Sequence, residues 1–165
     1  LQFLNSCRQR GARLISVGTY GRVVQREKET VRALIQQADM FFMNENEAIG
    51  LFGSADAAVA VPGKLLFVTR GQHGSSVWQG AHVTHLPALP AAELDPTGAG
   101  DAFCGATLAG LARGEHPQRA AAAAQMVAAQ VVAAVGPQAL WTSGDAPSGD
   151  ADGPVSLCTE QWLRC

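Results

Sequence analysis

A chain of 165 residues with a net charge of −2 and only 16% charged side chains fits one domain of common size, and it carries no basic face of the kind that binds nucleic acid or a membrane surface. Its apolar content, 47%, can build a core that buries roughly two-thirds of the unfolded surface, yet no apolar run reaches the about 18 residues of a membrane helix and no basic-then-apolar signal segment is read. Cys7, Cys104, Cys158 and Cys165 form neither a C-x-x-C pair nor a regular spacing, so neither a zinc site nor a disulfide framework is indicated and a cytoplasmic location is expected.

In chain order, residues 1–10 read as the end of an amphipathic helix stopped by Gly11, followed by a short apolar strand over 13–17. A first half helix and no initiator Met give the expectation of a domain incomplete at its N-terminus. Gly18-Thr19-Tyr20-Gly21-Arg22 reads as a loop, and residues 27–38 place Val31, Leu34, Ile35 and Ala38 at helical spacing. Met40-Phe41-Phe42-Met43 then reads as a buried strand. Such apolar runs alternating with helices predict an α/β fold whose mainly parallel sheet is covered on both faces.

Asn44-Glu45-Asn46-Glu47 opens the next helix, which runs to Phe52 with Gly53 as its stop. Asn at the cap with Glu three positions on is a capping-box arrangement and needs no ligand to explain it. Ser54 is placed to cap a short Ala-rich helix to residue 61, ended by Pro62-Gly63. Residues 64–69 form a clear buried strand that runs into Gly71-Gln72-His73-Gly74, a glycine turn leading to a strand over 75–78. Gly80 turns the chain into residues 81–86, whose alternation predicts an antiparallel partner with one solvated face. His82 and His85 have no ligand partner at metal spacing and read as surface residues.

The stretch around which the rest is organised is Asp95-Pro96-Thr97-Gly98-Ala99-Gly100-Asp101, read as a strand end, a tight glycine turn and the first turn of a helix over 100–113 closed by Gly114. Gly98 and Gly100 let a ligand approach the backbone, and the first N–H groups of the helix have no intrahelical acceptor, which suits a phosphate. A carboxylate at Asp101 competes for those donors unless its task is to take a proton from something held beside them, so the residue types point to phosphoryl transfer. The plainer alternative is an ordinary strand-to-helix turn with an acidic residue in its first turn. Pro117 opens a second, alanine-rich helix to about residue 135. Composition then shifts to Ser, Gly, Asp and Pro, which sets the expected domain at 1–142 and a flexible linker or tail at 143–165.

The run from Asp95 to Phe103, with Gly105-Ala106 beyond it, resembles the C-terminal signature of the ribokinase-like (PfkB) carbohydrate and nucleoside kinases. The resemblance implies a three-layer α/β/α fold, Asp101 as the base that deprotonates an acceptor hydroxyl, and the Gly98-Ala99-Gly100 backbone as the anion hole for the transferring phosphoryl. Asn44-x-x-Glu47 resembles the family's N-x-x-E motif, which implies roles for Asn44 at the nucleotide's phosphates and for Glu47 at magnesium, largely through water. Thr69, Gly71 and Gly74 resemble the T-x-G-x-x-G turn that lines the nucleotide, and Gln125 falls where family members carry an Asn or His beside the adenine. The loop at Gly136 resembles the one that, with the residues around Asp95 and Thr97, holds a monovalent cation such as potassium. ATP and Mg2+ are the implied cofactors, a sugar or nucleoside the implied small-molecule partner, with a homodimer left open.

The family's N-terminal Gly-Gly signature, its sugar-contacting residues and its β-sheet lid are not read in this chain, and Val17-Gly18-Thr19-Tyr20-Gly21-Arg22 stands where many members carry an Asp-x-Asn-like segment. Three readings therefore stand at this point: the catalytic part of an ATP-dependent kinase, a truncated non-catalytic nucleotide-binding or interaction module derived from one, and a dinucleotide-dependent oxidoreductase. Sequence speaks against the third, because Gly98-x-Gly100 is followed by two helices and not by a βαβ unit with a ribose-binding acid.

Overall fold

The structure, a computed structural model, describes residues 1–135. They fall into two compact units, Leu1–Pro87 and the residues from Ala88 onward.

The first unit is built on a five-stranded sheet in the order β1-β2-β3-β4-β5: Ser16–Gly18, Met40–Asn44, Leu65–Thr69, Ser75–Gln79 and His82–Leu86. β1, β2 and β3 run parallel, while β4 and β5 return antiparallel through tight turns. Parallel neighbours need crossovers, here supplied by α2 (Gly21–Arg26) and α3 (Lys28–Gln37) between β1 and β2, and by α4 (Glu45–Phe52) between β2 and β3. α1 (Gln2–Gln9) precedes β1.

Register explains why β2 and β3 read as unbroken apolar runs. Phe41, Leu66 and Trp78 share one row, and they join Met43 and Val68 on the face that packs with Val31 and Ile35 of α3 and Leu51 of α4. Phe42, Phe67 and Val77 share the adjacent row on the opposite face and are buried as well, with the Phe42 and Phe67 rings stacked at 4.6 Å. A strand buried on both faces has no reason to alternate with polar residues. β5 does alternate toward solvent, as its pattern predicts.

Three expected elements of this unit differ. The first strand is shorter and later than 13–17, because the Arg13 carbonyl accepts from the Arg8 guanidinium at 2.7 Å and the Ile15 amide donates to the Asp39 carboxylate at 2.7 Å before ladder pairing begins. The expected loop at 18–22 gives way to α2 from Gly21, whose Val24 is buried in the core. The expected helix from Ser54 to residue 61 stops after one 3-10 turn, Ala55–Ala57, although Ser54 does cap it through a hydrogen bond from the Asp56 amide. Beyond it the Ala60 amide donates to the Gly80 carbonyl, and the chain runs on extended with Ala58 and Ala60 buried.

The second unit is a helical hairpin, α5 (Ala99–Ala112) and α6 (Pro117–Val132), with Pro117 in the first turn where its missing N–H costs nothing. Phe103, Thr107, Gly110 and Leu111 form the buried stripe of α5, and Ala120, Ala121, Ala124 and Val131 that of α6. The expected strand end at Asp95 is not present. The amides of Leu94 and Asp95 both donate to the Val132 carbonyl, at 2.7 and 3.2 Å, so the approach to the glycine turn is tied to the end of α6 and not to a sheet neighbour.

Candidate active site

Within the second unit, the residues from Asp95 to Asp101 make one continuous turn. The Asp95 carboxylate accepts from the Thr97 amide at 2.9 Å, the Asx arrangement that lets an acidic side chain stand in for a backbone turn. Gly98 caps α5 with φ 83°, a left-handed conformation that a side chain would strain, and its carbonyl accepts from Ala102 at 2.8 Å. Ala99 closes onto the Pro96 carbonyl at 3.2 Å. The amides of Gly100 and Asp101 find no backbone acceptor among the described residues, and no side chain caps the helix. They are exposed donors at the positive end of a 14-residue helix.

An added Cβ at Gly100 would meet nothing within 4 Å among the described residues outside its own helical turn, so the glycine leaves open space beside those donors. The Asp101 carboxylate stands in the same first turn, exposed, with no hydrogen bond or ion pair among the described residues. Two amides and one carboxylate without a partner among the described residues thus lie within one helical turn. Gln125 is half-buried on α6, in the same unit, and Gly136 lies outside the described residues.

In the first unit, the C-terminal ends of the parallel strands carry the other candidates, the edge at which open α/β sheets bind ligands. Asn44 ends β2 and caps α4 in a complete capping box: its side chain accepts from the Glu47 amide at 2.9 Å, and the Glu47 carboxylate accepts from the Asn44 amide at 2.9 Å and the Asn44 Nδ2 at 2.8 Å. Glu47 is buried, and that burial raises its carboxyl above the ordinary 4.5 while the Asn44 bonds pull it back down. Both its oxygens are already engaged, which leaves only their remaining lone pairs for a hydrated cation; a metal held mainly by phosphate and water fits this donor set, and a direct protein cage does not. No cluster of three or more metal-ligating side chains occurs among the described residues.

Thr69 ends β3 in register with Asn44 on one side and Ser75 on the other, so the structure brings Asn44, Glu47 and Thr69 to one end of adjacent strands. The glycine turn follows at once: Gly71–His73 is a 3-10 turn, and Gly74 closes it at φ 88°, ψ −133°. Two neighbours were not singled out in the sequence. Arg70 engages Asp56 and Trp78, which lie far along the chain, and only its position inside the glycine turn hinted at a role. Cys104 lies three residues past Asp101, a spacing that puts the two on one helix face.

A mixed five-stranded sheet whose first three strands run parallel with helical crossovers is the architecture of the ribokinase-like α/β fold. Residues 4–143 match the model of the pfkB family of carbohydrate kinases, and the chain belongs to that family. The matched span runs through both units. A cytidine kinase of Thermococcus kodakarensis is 36% identical over 104 residues, covering 58% of this chain and 37% of that protein, and a fructokinase of Klebsiella pneumoniae is 37% identical over 94 residues, covering 53% and 31%. Among solved structures, the Burkholderia thailandensis nucleoside kinase in complex with inosine superposes with a TM-score of 0.70 at 28% identity, over 83% of this chain and 47% of that one. The chain thus spans about a third of the length of these curated relatives. No helix among the described residues is long and apolar enough to cross a membrane.

Proposed function

We propose that the chain supplies the phosphoryl-transfer machinery of an ATP-dependent kinase whose acceptor is a hydroxyl of a sugar or of a nucleoside's sugar. The observation that carries this reading is the pair of amides at Gly100 and Asp101, without an acceptor among the described residues, beside the Asp101 carboxylate, which has no partner among them either. In phosphoryl transfer there is little covalent work for a protein to do, and positioning plus charge stabilisation supply the rate. Asp101 takes the proton of the attacking hydroxyl, while the Gly98-Ala99-Gly100 turn and the first amides of α5 hold the negative oxygens of the group in transit. Thr69, Gly71 and Gly74 line the nucleotide, with Asn44 at its phosphates and Gln125 at the base. Glu47 would hold the water shell of a magnesium ion bound with the nucleotide, which would supply charge neutralisation at the phosphates. A monovalent cation near Asp95, Thr97 and Gly136 belongs to the same proposal.

Cytidine, fructose and inosine, the compounds for which these relatives are named or with which they are bound, all carry sugar hydroxyls, and that supports a sugar hydroxyl as the acceptor. The test is ADP release from ATP and magnesium against a panel of sugars and nucleosides, by this chain and by an upstream-extended version. Release that depends on one acceptor and vanishes in Asp101→Asn supports the reading. Nucleotide binding with no turnover by either protein replaces it with the non-catalytic module.

A further inference from the structure

Arg70, the residue between Thr69 and Gly71, connects more of the first unit than a place in a glycine turn requires. Its guanidinium lies 2.5 Å from the Asp56 carboxylate and 5.9 Å from the centre of the Trp78 ring, with the side chain only 14% exposed. Its backbone closes the turn from both sides: the Arg70 amide donates to the Gly74 carbonyl at 2.7 Å, and the Arg70 carbonyl accepts from the His73 amide at 2.9 Å. The side chain therefore fixes where the turn sits, on β4 through Trp78 and on the Ala55–Ala57 turn through Asp56, while the main chain fixes its shape. The planar guanidinium suits both tasks, since it bonds a carboxylate and stacks on an aromatic face together.

Stability alone does not account for this residue. The Asp56 side chain is 73% exposed, and such a pair adds little to folding. Arg70 Nε is buried with no acceptor among the described residues, a cost that an apolar side chain at the same place would avoid. Gly74 is held at φ 88°, ψ −133°, a backbone region open chiefly to glycine, and its carbonyl accepts from the main-chain amide of Arg70, the residue that the side-chain contacts hold in place.

We infer that Arg70 is a positioning residue for the nucleotide: it anchors the Thr69 to Gly74 turn to Asp56 and Trp78 so that the turn is already shaped before nucleotide arrives. This rests on the nucleotide role proposed for that turn. A loop ordered in advance spares the ligand the ordering cost, so loss of the anchor appears in affinity.

Arg70→Met keeps an apolar stem over Trp78 and removes the charge, and Arg70→Lys keeps the charge without the planar fork. Two readouts are taken on the full chain: the Kd for a magnesium-bound, non-hydrolysable ATP analogue, and hydrogen exchange of the His73 amide without ligand. Arg70→Met raises the Kd about five- to tenfold and speeds His73 exchange, with Arg70→Lys between it and wild type. Asp39→Asn, which loosens the contacts of Arg8 and Ile15 and lies outside the turn, lowers the melting temperature without moving the Kd. An unchanged Kd in Arg70→Met, or a Kd that tracks melting temperature across all three variants, overturns the inference. If wild type itself binds no nucleotide, the nucleotide role proposed for the turn in this chain has failed on its own; His73 exchange that stays at the wild-type rate in Arg70→Met then also removes the anchor.

Discussion

Cys104 lies one turn beyond Asp101 on α5, half-buried, and its thiol is held above the ordinary 9.0 first by burial and then by the Asp101 carboxylate. That coupling makes the cysteine a reporter of the proposed base. Asp101→Asn removes a negative neighbour, so the Cys104 thiolate forms at lower pH and the thiol alkylates faster at fixed alkaline pH. The same substitution should cut kcat/KM by roughly 10²- to 10⁴-fold if Asp101 is the general base. Iodoacetamide labelling of the Cys104 peptide, read by mass spectrometry beside ADP release, separates the two effects. Faster labelling with retained turnover would take the base role away from Asp101 while leaving its placement intact.

Gly100 offers a sharper separation of fold from function. It lies in the first turn of α5 with ordinary helical handedness, and a Cβ there meets nothing within 4 Å among the described residues outside its own helical turn. Gly100→Ala is therefore expected to leave stability unchanged or raise it by about 0.5–1 kcal/mol, the ordinary gain from replacing glycine in a helix. The new methyl occupies the space over the open amides, so turnover should fall even as the melting temperature holds. Thermal melts and ADP release on one preparation check this; a variant equally stable and equally active would show that the space over Gly100 is not used.

Asn44 and Glu47 show where the sequence was legible and where it was not. Both ends of the capping box follow from local spacing alone, and the structure contains it in full. β2 and β3 were equally legible, because burial on both faces writes itself as an apolar run. α2 was not: a six-residue helix that begins on Gly21 carries little propensity and is set by Val24, whose Cγ1 packs so closely on Gly50 that a Cβ there would lie 2.9 Å away. The helix expected after Ser54 failed for a similar reason, since the Ala60 to Gly80 bond spans residues that no local pattern relates. In the site, motif order survived in the sequence, whereas the Arg70 to Asp56 anchor depends on tertiary placement.

The burial of Glu47 also sets a pH dependence. Its carboxyl is raised from the ordinary 4.5, chiefly by burial, so the folded protein binds this proton more tightly than the unfolded chain does. Stability from this group is therefore fullest below the ordinary value and declines as pH rises through the window from 4.5 to the raised folded value, after which it is flat. Glu47→Gln abolishes that slope. Melting temperatures of both proteins from about pH 4 to neutrality should show wild type losing ground to the variant across the window, and parallel curves would assign the dependence to another group.

Asn44→Ala removes the cap itself. The Glu47 amide loses its acceptor and the buried carboxylate loses the Nδ2 donor, so the cost should exceed the about 1 kcal/mol of an ordinary cap. Asn44→Asp keeps the acceptor but sets a second carboxylate against Glu47, and it should be no better than alanine at neutral pH. Denaturant unfolding of the three proteins decides it; an Asn44→Asp variant as stable as wild type would mean that the Nδ2 bond to Glu47 contributes nothing.

Gly110 and Ala120 test the hairpin that carries the turn at Gly98. A Cβ at Gly110 would lie 2.9 Å from Ala120 Cβ and 3.2 Å from Ala120 Cα, and the second of these is backbone that cannot swing aside. Gly110→Ala gains about 1 kcal/mol of helix propensity but forces α5 and α6 apart, an overpacking that typically costs about 1–3 kcal/mol, so the net sign is destabilising. Ala120→Gly alone also destabilises, through lost propensity and lost burial. In the double variant the clash between the two methyls is gone while the new methyl still crowds the residue 120 backbone. Gly110→Ala should therefore cost less in the Ala120→Gly background than in wild type, and a double-mutant cycle measures the difference. Strict additivity would mean that the helices already yield at this crossing, and the turn at Gly98 would then rest on a less rigid support than the geometry gives it.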